Sequence, residues 1–323
     1  MKKVIRIGTR DSELALWQAN TVKSRLEALG YTTQLVPVKS TGDLILDKPL
    51  YEMGITGIFT KTLDVAMLNG TVDIAVHSMK DVPTQLPLGI VQTAVLEREA
   101  TEDILVTKGT VDFESPCTIA TGSLRRKAQW LHRYPHHTVV DLRGNVNTRL
   151  QKLNDNNWQG AIFAKAGLER LGFVDGKRIK SPSFGGVGED LDWMLPAAAQ
   201  GAMVVVALEK DEFSREATAQ LNHPESELAT FLERDFLRTL EGGCTAPIGA
   251  SAEIMDSEIR FKGCLFSLDG KTKIELEKNS AITEEQLKTS HFKDNLRLGR
   301  DCALEILGNG GAELMASIKE KLV

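Results

Sequence analysis

Near the N-terminus stands the sequence Val4-Ile5-Arg6-Ile7-Gly8-Thr9-Arg10-Asp11-Ser12, in which an apolar run gives way to a residue that caps helices. The run predicts a buried strand, and Ser12 begins a helix whose apolar residues recur at near-helical spacing as far as Leu29, with Gly30 at its end. A second strand follows at residues 33–39. This strand–helix–strand order predicts a mostly parallel sheet with helices on both faces.

The same alternation continues through the next 130 or so residues, which predicts two doubly wound α/β units in tandem. The further elements are a helix at 59–68, a strand at 73–77 and, after Glu97-Arg98-Glu99, strands at 117–120, 139–142 and 161–164 with helices at 123–133 and 146–153. An apolar strand at 202–208 fits either unit.

The last third of the chain has a different order of elements. A helix at 226–240 is followed by two strands, 259–267 and 273–277, and by helices at about 292–307 and 312–321. Strands and helices in separate blocks predict a small α+β domain. We expect three domains: residues 1–98 with 201–220, residues 99–200, and residues 221–323.

Composition restricts the class of protein. The 323 residues are 42% hydrophobic and 26% charged, with a net charge of −5, which is typical of a globular chain and argues against nucleic acid or an anionic membrane as a partner. No apolar run approaches the ~20 residues that span a bilayer, and Lys2, Lys3 and Arg6 argue against a signal peptide, so we expect a cytoplasmic protein. The four cysteines form no C-x-x-C pair, and no metal site is predicted.

Two polar segments follow predicted strands, where open α/β sheets bind ligands. In the first, Arg10 lies beside Ser12 at a helix start that favours anions. The alternative is a surface arginine beside a simple Ser12 cap. The second is His77-Ser78-Met79-Lys80-Asp81-Val82-Pro83, in which Pro83 favours an extended Val82 and presents Lys80 and Asp81 at the sheet edge. A common polar turn would explain it too, and His77 alone is better explained as a core or edge histidine than as a catalyst.

Arginines gather in the second unit. Arg125 and Arg126 fall in the first turn of a predicted helix, where the helix dipole disfavours cations, and Arg143 follows the next strand. Arginine binds carboxylates through a planar, bidentate fork, so an anionic ligand would explain the placement, as ordinary surface ion pairs also would. The further members of this set are Arg149 and Arg170.

One cysteine differs from the others. Leu240-Glu241-Gly242-Gly243-Cys244-Thr245-Ala246-Pro247 predicts a tight irregular loop that displays the thiol of Cys244. Cys117, Cys264 and Cys302 lie in apolar runs and are predicted to be buried and inert. No phosphate-binding loop, dinucleotide-binding glycine motif, zinc-protease motif or serine-hydrolase motif is present.

Together these segments resemble the porphobilinogen deaminase (hydroxymethylbilane synthase) family. The resemblance extends over essentially the whole chain, with the motifs in the family's order: Thr9-Arg10-x-Ser12-x-Leu14-Ala15-x-Trp17-Gln18, Gly42-Asp43-x-Ile45-Leu46-Asp47, the run from His77 to Pro83, Gly122-Ser123-Leu124-Arg125-Arg126, Leu142-Arg143-Gly144-Asn145-Val146-x-Thr148-Arg149-Leu150, Ala166-Gly167-Leu168-x-Arg170-Leu171, Gln200-Gly201-Ala202, and Leu240-Glu241-Gly242-Gly243 with Cys244.

The resemblance implies two periplasmic-binding-protein-like domains around a cleft and a third, α+β domain that carries the cysteine. It implies a transferase of tetrapyrrole (heme) biosynthesis with a dipyrromethane cofactor, bound covalently through a thioether to Cys244. The enzyme would add four porphobilinogen molecules stepwise, with loss of ammonia, and release hydroxymethylbilane. It would act as a monomer, without nucleic acid or membrane.

The resemblance also implies roles for individual residues. Asp81 would stabilise the positive charge that develops on pyrrole intermediates, in the opposite sense to an oxyanion hole. The cofactor would be held by Lys80, Ser78, Ser123, Arg125, Arg126 and Arg143, and the substrate by Arg10, Ser12, Arg149, Arg170 and Gln200. The chain departs from the family pattern at Thr56, where a lysine is usual, and at Ala199, where glycine is usual.

Two other classes of protein share parts of this pattern. A non-catalytic ligand-binding protein can have the same pair of α/β domains, but a secreted receptor needs a signal peptide, a transcription regulator needs a helix-turn-helix, and neither needs Cys244 on a glycine loop. A nucleotide-dependent transferase would need a phosphate-binding loop. The added mass of two pyrrole units on the purified protein would separate the enzyme from both.

Overall fold

The computed structural model describes residues 3–39, 60–240, 246–255, 257–283 and 296–322. Three features of the sequence lie outside these residues: the motif at 42–47, the segment around Thr56, and Cys244 with its glycine loop.

The strands within these residues are β1 (Val4–Thr9), β2 (Thr32–Pro37), β3 (Ile74–Ser78), β4 (Ile90–Val95), β5 (Asp103–Thr107), β6 (Thr118–Ala120), β7 (Thr138–Val140), β8 (Gly160–Ala164), β9 (Val174–Asp175), β10 (Arg178–Ser181), β11 (Phe184–Asp190), β12 (Met203–Leu208), β13 (Ile248–Met255), β14 (Glu258–Phe266) and β15 (Lys273–Ala281). The α-helices are α1 (Glu13–Ala28), α2 (Lys61–Leu68), α3 (Leu124–Arg133), α4 (Val146–Asp155), α5 (Lys165–Arg170), α6 (Glu212–Ala219), α7 (Pro224–Thr239), α8 (Leu298–Ile306) and α9 (Ala312–Leu322).

The first of two compact units, unit 1, contains the described residues up to 99 together with 201–228. Its five-stranded sheet has the order β2-β1-β3-β12-β4. Strand β1 is parallel to β2 and β3, whereas β12 is antiparallel to β3 and β4. The predicted mostly parallel sheet is therefore found only in the first three strands, because β12 enters from a distant part of the chain and not through a helical crossover. Helix α1 packs Ala19, Val22 and Leu26 against Ile5 and Ile7 of β1.

Unit 2 contains the described residues 100–200 and those from 229 onward. Its seven-stranded sheet has the order β7-β6-β8-β5-β11-β10-β9, in which β6 is parallel to β7 and β8 and the other neighbours are antiparallel. Leu150 and Leu153 of α4 pack with Phe163 of β8 and Ile104 of β5 in one buried cluster.

Unit 2 also holds a three-stranded antiparallel sheet, β13-β14-β15. The rings of Phe236 on α7 and Phe261 on β14 lie 5.3 Å apart, and α8 approaches α7 so closely that a Cβ on Gly299 would lie 2.1 Å from the carbonyl oxygen of Leu232. Two mixed α/β sheets and a small portion with its own sheet and helices confirm the predicted fold class. The boundaries of the three expected domains stay a prediction.

Candidate functional site

The first group of predicted site residues lies at one edge of the sheet in unit 1. Strands β1 and β3 are parallel neighbours, so Arg10, which follows β1, and Ser78, which ends β3, come to the same edge. Ser12 is the N-cap of α1, as predicted, and its hydroxyl oxygen accepts a hydrogen bond from Ala15 N at 3.4 Å. One helical turn on, Gln18 Nε2 donates to Ser78 Oγ at 2.7 Å, which fixes this serine.

A short 3₁₀ helix, Met79–Asp81, carries the polar residues that follow β3. Met79 and Val82 are buried, whereas Lys80 and Asp81 are half-buried. Met79 N donates to Ala202 O at 3.0 Å and Val82 N to Met79 O at 3.1 Å. Val82 is extended, with ψ 130°, as expected of a residue before proline. The turn is thus anchored by its apolar members, and Lys80 and Asp81 are the polar groups that it presents.

His77 lies inside unit 1, directly before this turn. Its side chain is buried, and its Nε2 atom has no hydrogen-bond partner among the described residues. Burial, with the positive charge of Arg10, lowers the pKa of His77 to about 4. The imidazole is therefore neutral at physiological pH.

The second group of site residues surrounds one buried carboxylate in unit 2. Ser123 is the N-cap of α3, and its hydroxyl accepts from Arg126 N at 3.4 Å. Arg125 and Arg126, in the first turn, are only 4% and 6% exposed. Both guanidinium groups meet Asp103, the first residue of β5: Arg125 Nη1 lies 2.6 Å from Asp103 Oδ2, and Arg126 Nε and Nη2 lie 2.9 and 2.8 Å from Asp103 Oδ1.

Gln200 completes the surroundings of this carboxylate. Its Nε2 donates to Asp103 Oδ1 at 2.9 Å and to Thr101 O at 2.7 Å. Burial alone raises the pKa of Asp103, but the charges of Arg125 and Arg126 and the hydrogen bonds from Arg125 and Gln200 lower it by more, so the net pKa lies below the ordinary range. Asp103 is an anion that holds two arginines.

The remaining predicted site arginines of unit 2 lie on loops or within helices close to these elements. A Cβ on Gly122 would lie 2.5 Å from Leu142 O and 4.0 Å from Arg143 Cδ, so the turn that starts α3 contacts the loop of Arg143. Arg143 is buried, and burial lowers its pKa, with Asp141 opposing. Arg149 Nε donates to Gly144 O at 2.8 Å, and Arg170 is buried at the end of α5. Such a set of guanidinium groups can bind carboxylates.

The buried acids Asp103 and Glu233, which lie beside predicted site residues, are not among the residues predicted from the sequence. Asp103 opens an apolar strand, and the signal that could have found it was the need of two first-turn arginines for a counter-charge. Glu233 lies on the buried face of α7 and accepts hydrogen bonds from Ala199 N and Ala252 N, each at 2.7 Å. Ala199 has a φ of 61°, so this carboxylate holds a turn of rare conformation beside Gln200.

Cys117, Cys264 and Cys302 are buried, as predicted. Burial raises the pKa of Cys264 to about 12 and that of Cys302 to about 11. Burial also raises the pKa of Cys117, with Asp112 adding to the effect. These thiols are poor nucleophiles at neutral pH. The prediction for Cys244 falls outside the described residues.

Two family models match consecutive parts of the chain. Residues 5–216 match "Porphobilinogen deaminase, dipyromethane cofactor binding domain", and residues 228–308 match "Porphobilinogen deaminase, C-terminal domain". The chain belongs to the porphobilinogen deaminase family. The porphobilinogen deaminase of Chloroherpeton thalassium is 39% identical over 324 residues, which cover 99% of each chain, and that of Geotalea uraniireducens is 39% identical over 325 residues, which cover 99% of this chain and 96% of the relative.

More distant likenesses exist among solved structures. The probable amino-acid ABC transporter extracellular-binding protein YtmK of Bacillus subtilis is 12% identical with a TM-score of 0.40 and covers 68% of this chain and 90% of its own. The VFT2 domain of Bordetella pertussis BvgS (double mutant) is 13% identical with a TM-score of 0.39, over 68% and 86% of the two chains.

As a porphobilinogen deaminase family member the chain is a transferase of porphyrin biosynthesis with a dipyrromethane cofactor, and the alternative of a non-catalytic binding protein is set aside. Within the described residues no helix has the length and apolar character to cross a bilayer. The same residues contain no group of three or more His, Cys, Asp or Glu placed to hold a metal ion.

Proposed function

We propose that this chain is a hydroxymethylbilane synthase that joins four porphobilinogen molecules on a dipyrromethane primer and releases hydroxymethylbilane. Each addition forms one carbon–carbon bond between pyrroles and releases one ammonia, and the release of the product consumes one water. The family match over nearly the whole length of the chain supports this activity.

The observation that carries the proposal is the buried arginine pair at the start of α3. Each porphobilinogen unit bears an acetate and a propionate, so every ring adds two negative charges that the protein must bind. Arg125 Nε is buried and has no hydrogen-bond partner among the described residues. A buried donor of this kind is costly to leave unsatisfied, and a ligand carboxylate would satisfy it. The donor set therefore fits a polycarboxylate pyrrole cofactor.

We assign the binding roles unit by unit. In unit 2, Ser123, Arg125, Arg126 and Arg143 would hold cofactor carboxylates, and Arg149, Arg170 and Gln200 would serve the substrate. In unit 1, Lys80 and Ser78 would bind the cofactor, and Arg10 and Ser12 the substrate. The half-buried position of Lys80 and the hydrogen bond that fixes Ser78 support these roles.

Asp81 is the residue that we assign to the chemistry. Loss of ammonia from porphobilinogen leaves an electron-poor pyrrole, and a fixed carboxylate stabilises that positive charge and binds the pyrrole N–H. The 3₁₀ turn holds Asp81 between two buried residues, Met79 and Val82. Its carboxylate therefore needs little reorganisation when the charge develops.

We further propose that the cofactor is attached by a thioether to Cys244. When bound, the dipyrromethane supplies the primer pyrrole that is extended. The three described cysteines support the choice of Cys244 indirectly, because burial raises the pKa of each of their thiols and leaves them poor nucleophiles.

The intact mass of the purified protein tests the attachment. We expect a mass that exceeds the sequence mass by two pyrrole units, and we expect Cys244→Ser to lack both the added mass and the activity. Cys264→Ser and Cys302→Ser are the matched controls and should keep both. A modified peptide that contains another cysteine would contradict the assignment.

We propose that the enzyme is a cytoplasmic monomer that needs neither nucleic acid nor membrane, and that its three domains are residues 1–98 with 201–220, 99–200 and 221–323. The restriction of strand β12 to the sheet of unit 1 supports the placement of residues 203–208 in the first domain.

A further inference from the structure

Four buried side chains in unit 2 form a hydrogen-bonded group, which we term the Asp103 centre: Asp103, Arg125, Arg126 and Gln200. Their exposed fractions are 0%, 4%, 6% and 1%. Asp103 Oδ2 accepts from Arg125, and Asp103 Oδ1 accepts from Arg126 and Gln200. The carboxylate is thus held on both oxygens and cannot rotate without breaking a contact.

The contacts of the two arginines are unequal. Arg126 uses Nε and Nη2 on Asp103 and donates from Nη1 to Ile162 O at 3.1 Å. Arg125 uses a single nitrogen, Nη1, for both Asp103 and Leu195 O at 2.8 Å. The Nε of Arg125 is left without a hydrogen-bond partner among the described residues.

The position of the pair is unfavourable without an anion. Two cations stand side by side in the first turn of α3, where the helix dipole already carries partial positive charge, and both are removed from water. A buried charge is tolerated when it is paired and hydrogen-bonded. Asp103 meets this need, and by doing so it also decides which edge of each guanidinium group is used internally.

We propose that Asp103 is a positioning residue for the enzyme's anionic ligands. It holds Arg126 rigidly and turns Arg125 so that its buried Nε, which has no hydrogen-bond partner among the described residues, is left to pair with a carboxylate of the pyrrole chain. This inference rests on the proposed function, because the carboxylate-bearing ligand is the cofactor or substrate named there. Gln200 donates to Asp103 Oδ1, the oxygen that Arg126 also contacts, and so keeps the carboxylate from turning.

Two variants of Asp103 test the proposal by the rate of cofactor loading. Protein purified free of cofactor is incubated with porphobilinogen, and the added mass is followed over time. Asp103→Asn keeps the shape and removes the charge, so we expect loading at least tenfold slower than wild type. Asp103→Glu keeps the charge and displaces it by one methylene, so we expect an intermediate rate. Loading of both variants at the wild-type rate overturns the proposal.

A matched control separates positioning from a general loss of stability. Leu153→Ala removes a fully buried side chain of the same unit without touching the Asp103 centre. At a temperature where Leu153→Ala and Asp103→Asn are equally folded, we expect Leu153→Ala to load as wild type does. Equally slow loading of both variants would assign Asp103 a structural role alone. If Asp103→Asn yields no folded protein, the comparison of Asp103→Glu with Leu153→Ala decides in the same way.

A second readout does not depend on the proposed function. In the Cys244→Ser background, ¹⁵N spectra of arginine side chains report the Nε–H of Arg126, which should exchange slowly with solvent. We expect Asp103→Asn to speed this exchange at least tenfold and Leu153→Ala to leave it unchanged. Unchanged exchange in Asp103→Asn overturns the positioning role. A wild-type protein that gains no mass with porphobilinogen contradicts the proposed function instead.

Discussion

The buried residues on either side of Lys80 and Asp81 fix the position of Asp81 at the sheet edge. Met79 and Val82 are 2% and 5% exposed, and their burial fixes the three-residue helix between β3 and Pro83. Lys80 and Asp81 are therefore the half-buried polar members of the turn. A single charged group on a rigid backbone of this kind suits charge stabilisation, since its position is set before the charge appears.

We predict that Asp81→Asn lowers kcat by about 10²–10³, which is the typical cost of removing one preorganised electrostatic group. The amide keeps the shape and the hydrogen-bonding capacity of the side chain but lacks its charge. Single-turnover kinetics of porphobilinogen addition on cofactor-loaded enzyme measure the effect. Because Asp81 is half-buried at the sheet edge, the variant should fold as wild type does.

Asp81→Glu is the companion variant, because it keeps the charge and displaces it by one methylene. It should retain more activity than Asp81→Asn. If the asparagine variant adds porphobilinogen at nearly the wild-type rate, charge stabilisation belongs to another residue.

Among the elements, the turn that starts α3 depends on a glycine. A Cβ on Gly122 would lie 2.5 Å from Leu142 O, a distance at which one of the two backbones must move. The close approach brings the N-cap Ser123, and with it the arginine pair, against the loop that carries Arg143. The absence of a side chain at Gly122 therefore allows Arg125, Arg126 and Arg143 to lie on neighbouring segments.

We predict that Gly122→Ala destabilises the protein by about 1–3 kcal/mol, the usual cost of forcing extra atoms into a packed site. It should also slow cofactor loading, because the start of α3 is displaced. Urea unfolding measures the first effect and intact mass the second. Gly109→Ala is the matched control: no atom lies within 4 Å of the added Cβ, so its stability should change by less than about 0.5 kcal/mol. An equally stable Gly122→Ala variant would contradict the argument.

Elements with strong apolar periodicity are those that the sequence predicts well. The predictions for β1, α1, α3 and α9 agree with the structure to within a residue or two. Strand β13 is missing from the prediction because Gly249, Ala250, Ser251 and Ala252 have little β-propensity of their own. Its extended form comes from pairing along its whole length with β14, which is a tertiary effect.

In the candidate site, too, local features could be predicted from the sequence and tertiary contacts could not. Motif positions such as Ser12 and Ser123 are N-caps, as their local sequence predicts. Local sequence does not predict which group pairs with Arg125 and Arg126. Their counter-ion Asp103 is more than twenty residues away in the chain and is the first residue of an apolar strand. Spacing places a charge on an element, but the tertiary fold decides with which charge it pairs.

Across the whole molecule, the net charge is negative, whereas the buried arginines of the candidate site in unit 2 are positive. The chain carries −5 overall, yet Arg125, Arg126, Arg143 and Arg170 are all buried in unit 2. A negative exterior with buried guanidinium groups disfavours nonspecific polyanions at the surface while it keeps donors for small carboxylates inside. The global charge therefore says little about the ligand.

The buried His77 makes global stability depend on pH. Its pKa is lowered to about 4 in the fold, from an ordinary 6.5, by burial and by Arg10. Below pH 6.5 the unfolded chain takes up a proton that the folded protein does not, so the free energy of unfolding falls as the pH drops, until about pH 4. Asp103 adds to this slope only at the acid end of the window, where the unfolded chain begins to protonate its carboxylates. Burial raises the folded-state pKa of Asp103, and the two arginines lower it by more, to below the ordinary range.

We predict that His77→Gln removes most of this slope. The histidine accounts for a loss of about 3 kcal/mol between pH 6.5 and pH 4, at about 1.4 kcal/mol for each pH unit of the shift. Urea midpoints measured at half-unit intervals of pH by circular dichroism should therefore fall less steeply in His77→Gln than in wild type. His136→Gln, at an exposed histidine, is the control and should keep the wild-type slope. Parallel curves for wild type and His77→Gln would mean that His77 is protonated in the folded protein, and the neutral imidazole beside Arg10 would have to be abandoned.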